Sequence, residues 1–202
     1  MGKSRWNYGG LNMSIFDKIR NNNQTQQAPA QSTFDKSQKN VTITFAALPE
    51  SLAQLQSLPE ASLDTPFKAA ALTLCALCAY AAEPTIGVEM LNYLRGPAGP
   101  MSNYDLSFLK DRFMDAGVYI PFSYFDGAKP ENDYTPAEPF TVTISAGPYA
   151  YQNDGYATLD IRSGGADSPR QITLRQKGNQ WFLWEQRVMV GVRKPKSLDP
   201  WA

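Results

Sequence analysis

The 202-residue sequence contains no histidine. That absence excludes Ser–His and Cys–His nucleophile pairs, a histidine general base, and a zinc site with imidazole ligands. Net charge is also missing, because 19 Lys and Arg residues balance 19 Asp and Glu. A neutral chain has no global electrostatic pull toward a nucleic-acid backbone or an anionic membrane surface. Long apolar runs are lacking: the stretch at 69–82, broken only by Thr73, covers 14 residues. A bilayer span needs about 20, so this stretch is expected to form a buried core helix. The residues after Met1 are polar and glycine-rich, without the apolar core of a signal peptide, and Trp6 stands where a myristoylation motif wants Ser or Thr. There is no Walker loop and no G-x-G-x-x-G. The expectation is a cytoplasmic protein with no cofactor, no nucleic-acid partner and no membrane association.

What is present is enough for one core, with 43% hydrophobic and 12% aromatic residues. The neutrality is regional. Residues 1–40 carry +4, residues 41–140 carry −7, and residues 141–202 carry +3. Met13 offers a second start, which would make 1–12 an extension. The stretch 21–40 is polar, with Phe34 its only large apolar side chain, so 1–40 reads as a disordered arm. Residues 41–202 read as a single domain, helical over about 46–117 and sheet over about 140–194.

The pattern within that domain is specific. Val41, Ile43 and Phe45 alternate with threonines, which predicts a strand. Leu52, Leu55 and Leu58 follow Pro49 at helical spacing. Thr65-Pro66 forms an N-cap and first helical residue ahead of the apolar stretch, and Pro84 ends that helix. A third helix to Arg95 meets Gly96 where a C-terminal cap falls, and Ser102 with Asp105 makes a capping box for a fourth. The aromatic, proline-rich segment 118–139 is expected to cross the fold as an ordered loop pinned by its rings. Strands then follow at Phe140–Ile144, Ala157–Ile161 and Ile172–Lys177, with Gly178-Asn179 as a hairpin turn. The return strand places Phe182, Trp184, Val188, Val190 and Val192 inward. Helices followed by strands predict an α+β fold: a helical layer on one face of an antiparallel meander.

The runs RSGGADSPRQITLRQKGNQWFLWEQ and DPWA, with LDTPFKAAALTLCALC, YLRGPAGP, DRFMDAG and PENDYTPAEPF, resemble an uncharacterised bacterial family filed as a domain of unknown function. That family occurs mainly in gram-positive anaerobes, and the similarity runs from about residue 41 to the end. The resemblance implies a soluble bacterial protein and supplies no catalytic residue. The helix-then-curved-sheet order is also similar to cystatin-like and nuclear-transport-factor-like folds, which host enzymes and binding modules alike.

Four segments could carry chemistry. Cys75 and Cys78 form a C-x-x-C, but no other cysteine or histidine completes a metal site. Inside an apolar helix the pair reads as two small hydrophobes. The loop Asp126 to Asp133 gathers three carboxylates without the alternating spacing of a calcium loop, so it reads as turns. Arg162, Gly164, Gly165, Asp167 and Arg170 combine two glycines with two arginines, an anion nest for a small anionic ligand. The same residues also fit a wide hairpin loop tied by an Arg–Asp167 pair. Finally, the face of the last strands carries Thr173, Arg175, Lys177, Trp181, Leu183, Glu185 and Arg187. Arg175, Trp181 and Arg187 there compose an anchor-and-rim surface for a protein partner or a homodimer, in which case Trp181→Ala weakens association without unfolding. If another segment covers the face, Trp181 is core. The functional expectation is a non-catalytic binding or interaction module. Its alternative is a small-molecule enzyme using carboxylates and arginines in a pocket between sheet and helices.

Overall fold

A computed structural model describes residues 34–114 and 117–200. Most of the expected arm (1–33), with Trp201 and Ala202, lies outside the described residues. The described chain has the α+β order expected from the sequence. Strand β1 (Asn40–Phe45) precedes four α-helices among the described residues: α1 (Leu52–Ser57), α2 (Pro66–Ala82), α3 (Pro84–Arg95) and α4 (Asn103–Met114). Then come β2 (Phe140–Ser145), β3 (Tyr156–Ile161), β4 (Arg170–Lys177) and β5 (Gln180–Gln186). The strands form one antiparallel sheet in the order β1-β2-β3-β4-β5, leaving β1 and β5 as its edges.

Helix α2 organises the core. The hydroxyl of Thr65 accepts the N–H of Lys68 at 3.3 Å, and Pro66 occupies the first turn, where its missing N–H costs nothing. Every side chain from Ala69 to Tyr80 is then buried. Such a helix needs cover on all sides. It touches all five strands on one side and α3 on another. The approach of α3 is close because Gly87 has no side chain: a Cβ there would stand 2.3 Å from Cβ of Tyr80. At the start of α4, Ser102 and Asp105 cap each other, with Asp105 N–H donating to the serine hydroxyl at 3.2 Å and Ser102 N–H to the carboxylate at 3.0 Å.

The aromatic segment after residue 117 crosses the fold and is fixed by its hydroxyls. Tyr124 donates to the carbonyl of Val188 at 2.6 Å, Tyr134 to that of Arg193 at 2.7 Å, and Tyr119 stacks on Tyr134 with centroids 5.0 Å apart. These bonds hold residues 188–193, which follow β5 as turns and not as the longer strand that the alternating valines suggest.

Strand β5 corrects a second expectation. Its register sets Leu183 opposite Leu174, so Trp181 and Leu183 face the core while Phe182 and Trp184 face outward. An irregularity beside Thr173 and Leu174 then leaves both Trp184 and Glu185 exposed. The alternation pattern assigned the opposite faces because aromatic residues occupy both parities here. Trp181 is 1% exposed. Its ring meets Phe34 edge-on at 6.1 Å, and Phe34 also packs against Phe67 and Tyr151. Trp181 is therefore a core residue and no part of an exposed anchor surface. Accordingly Trp181→Ala should cost roughly 3–5 kcal/mol of stability by urea denaturation. A variant that stays within about 1 kcal/mol of the parent and changes only its association would contradict this placement.

Candidate functional site

The outer face of the last three strands carries a row of side chains that the register sets side by side. Tyr156 on β3 lies opposite Arg175 on β4, and Arg175 lies opposite Phe182 on β5. The Arg175 guanidinium sits 4.8 Å from the centroid of Trp184 and 5.4 Å from that of Tyr156. Those rings meet edge-on at 5.8 Å. Cation–π contact with two adjoining rings restricts the guanidinium and leaves its N–H edge to bind. Lys177, two residues along, projects from the same face.

Helix α3 brings the opposing wall. Its last residue, Arg95, is followed by a tight turn at Gly96–Ala98 that presses onto Phe182. Gly96 has a φ of +48°, and a Cβ would stand 2.4 Å from the Phe182 ring, so backbone angle and space both demand glycine. Arg95 Nε donates to the carbonyl of Gly99 at 3.1 Å, and its Nη1 lies 3.8 Å from the capping carboxylate of Asp105. The cap of α4 and the position of Arg95 are thus one arrangement.

Two adjoining depressions result, sharing Arg95, Leu183 and Trp184. One is a notch of about 300 Å³ walled by Arg95, Pro97, Arg175, Lys177, Phe182 and Trp184. The other is a groove of about 360 Å³ between β5 and the helices α3 and α4, walled by Leu91, Met101, Phe108, Leu183, Trp184 and Arg187. Its rim bears unusually exposed apolar groups: Tyr104 is 79% exposed and Trp184 42%. No described strand pairs with the outer edge of β5. Near its start that edge is closed by Trp181 N–H donating to the Leu63 carbonyl at 2.8 Å; beyond this point it borders the groove.

A family model described as a domain of unknown function, DUF6935, matches residues 47–196. The chain belongs to the DUF6935 family. No curated protein and no solved structure matches it. The matched span contains every wall of the notch and the groove in the DUF6935 domain.

Of the residues singled out in sequence, the structure brings Arg175, Lys177, Leu183, Glu185 and Arg187 to this region. Arg187 makes a two-point contact with Glu185 at 3.0 and 3.1 Å. The loop after β3 uses its polar groups internally. Gly164 N–H donates to the Ser123 carbonyl at 2.8 Å and Gly165 N–H to the Ser163 hydroxyl at 3.1 Å. Added Cβ atoms would strike the Ala128 carbonyl and the Tyr134 hydroxyl, so both glycines serve close packing. Arg170 spends its guanidinium on the carbonyls of Ser168, Val190 and Gly191. Asp167 pairs with Arg193 at 3.5 Å, where the hairpin reading expected a partner within the loop, and Arg162 is exposed at the loop's start. The two glycine N–H groups and the Arg170 guanidinium are therefore already bonded within the fold. Sequence reasoning missed Trp184, Phe182, Arg95 and Tyr104. The available signal was Leu174, whose pairing across a two-residue turn fixes which residues of β5 face inward.

Cys75 and Cys78 are buried, unpaired thiols within α2, and no group of three or more metal-ligating side chains occurs among the described residues. Burial pushes both thiols above the usual cysteine range. Burial likewise pushes the Tyr134 and Tyr151 hydroxyls up to about 12. Groups that hold their protons in the folded state, while the unfolded chain releases them near about 8.5 for cysteine and 10 for tyrosine, stabilise the fold below those values. This stabilisation is lost as pH rises toward the folded-state values. The urea midpoint should therefore fall between pH 8 and pH 11, and a thiol-reactive disulfide reagent at pH 8 should label the cysteines only as the domain opens. Rapid labelling of the folded protein would contradict the buried placement.

Proposed function

We propose that the DUF6935 domain is a non-catalytic binding module that takes an extended protein segment along the outer edge of β5. The observation that carries this reading is the open strand edge bordering a groove whose rim holds exposed Trp184 and Tyr104. An added strand bonds through its backbone to such an edge, and alternate side chains enter the flanking pocket. Trp184 stands where such a side chain would meet the groove, as aromatic anchors do at interfaces. A cytoplasmic, bacterial setting belongs to the same reading, supported by the family resemblance and by thiols that are free and buried.

The alternative, a small-molecule enzyme, asks for a deep pocket between sheet and helices with a carboxylate beside an arginine. The side chains of α2 fill that space. The Arg95–Asp105 pair lies instead in the open groove, with Asp105 also engaged in capping α4. Nothing at the groove favours the enzyme over the module.

Selection from a library of random displayed peptides tests the reading. Enriched peptides should perturb the amide signals of residues 183–187 and 104–108, and Trp184→Ala should weaken them by roughly tenfold or more. Failure to enrich any sequence, or perturbation confined to the β1 edge, would overturn it. So would sedimentation showing that two copies already pair through β5.

A further inference from the structure

The notch beside the groove differs from it in charge. The groove balances its cations, since Arg95 faces Asp105 and Arg187 is held by Glu185. The notch is walled by Arg95, Arg175 and Lys177, with no carboxylate in its lining. Among the described residues neither Arg175 nor Lys177 forms an ion pair. With Arg95 offset by Asp105, two positive charges remain.

The Arg175 charge is held in place. Arg175 rests against both Tyr156 and Trp184, so it loses little freedom on binding, and its planar N–H fork suits bidentate contact with oxygen pairs. Lys177 adds a point charge from the same strand face. Arg95 is tied to the Gly99 carbonyl, and the turn beside it is seated on Phe182 through Gly96. A carboxylate would leave one of the two charges unmatched. A phosphoryl group carries about −1.5 to −2 at neutral pH and presents three acceptor oxygens. The volume of about 300 Å³ accommodates a side chain that carries it, and Phe182 and Trp184 offer apolar contact for the stem.

We infer that the notch is a phosphoryl-binding site that reads a phosphorylated side chain on the segment lying along β5. This rests on the binding reading above and names the chemistry of its partner. Recognition of phosphorylated segments through arginine clusters is an established mode of peptide binding. The groove then supplies backbone and apolar contacts, while the notch makes binding conditional on modification of the partner.

Nuclear magnetic resonance titration of the full chain with three probes tests the site: phenyl phosphate, phenylacetate and inorganic phosphate. Phenyl phosphate should shift the Trp184 indole and the amides of residues 175–177, and bind about tenfold tighter than phenylacetate, which carries a similar ring with a single carboxylate. Inorganic phosphate should shift the same signals more weakly, which assigns the remaining affinity to the ring. Lys177→Gln touches neither ring and should weaken phenyl phosphate about tenfold with the fold intact, while Arg175→Lys should weaken it by loss of the planar fork. Equal affinity for phenylacetate, shifts confined to other surfaces, or indifference to Lys177→Gln would each overturn the inference. The two readings separate experimentally. Phenyl phosphate can bind the notch when no peptide is enriched, and peptides can be enriched that ignore phosphate.

Discussion

A helix that is apolar around its whole circumference cannot lie on a surface; it must be enclosed, and the rest of this fold follows from how α2 is enclosed. Ala69 through Tyr80 present no solvated side. The sheet covers one flank with alternating residues such as Val142, Ile144, Leu159, Ile172 and Leu174. Helix α3 covers another, close enough that only glycine fits at position 87. The small residues of α2, five alanines from 69 to 79 together with Cys75 and Cys78, allow these approaches. The C-x-x-C motif thus belongs to packing, and its thiols are conserved in their protonated form by the same burial that encloses the helix.

Enclosure on the sheet side depends on β5, the last strand in the chain and an edge of the sheet. Trp181 and Leu183 turn inward to complete the cover, and Trp181 is sealed in turn by Phe34 and by its N–H to Leu63. Inward placement of those two side chains forces Phe182 and Trp184 outward, where Arg175 stacks against Trp184. Because α3 must lie against α2, its C-terminus brings Arg95 and the Gly96 turn to the same place. The notch and groove are the seam where sheet and helices meet at the open edge. Core packing and the binding surface are therefore consequences of one register.

Much of this architecture was legible in sequence. The four helices, their capping at Thr65 and Ser102, the strand positions and the Gly178-Asn179 turn each rest on local signals within a few residues. The site was not legible, for a physical reason. Its walls come from residues about 80 positions apart, Arg95 and Arg175, joined only by packing. The parity of β5 was ambiguous because Trp181, Phe182, Leu183 and Trp184 form a continuous apolar run in which neither alternate set is polar. Register decides such a strand, and register was fixed by Leu174 opposite Leu183. The Arg162–Arg170 loop attracted attention for its glycines, whose use is close contact with Ala128 and Tyr134.

Strand β5 presents Trp184 to solvent and Trp181 to the core. Fluorine resonance of protein carrying 5-fluorotryptophan, with each signal assigned by a Trp→Phe variant, measures this directly in the presence of a soluble paramagnetic relaxation agent. The Trp184 signal should broaden strongly and the Trp181 signal should be almost unaffected. Broadening of Trp181 with protection of Trp184 would invert the strand and remove both the groove and the notch.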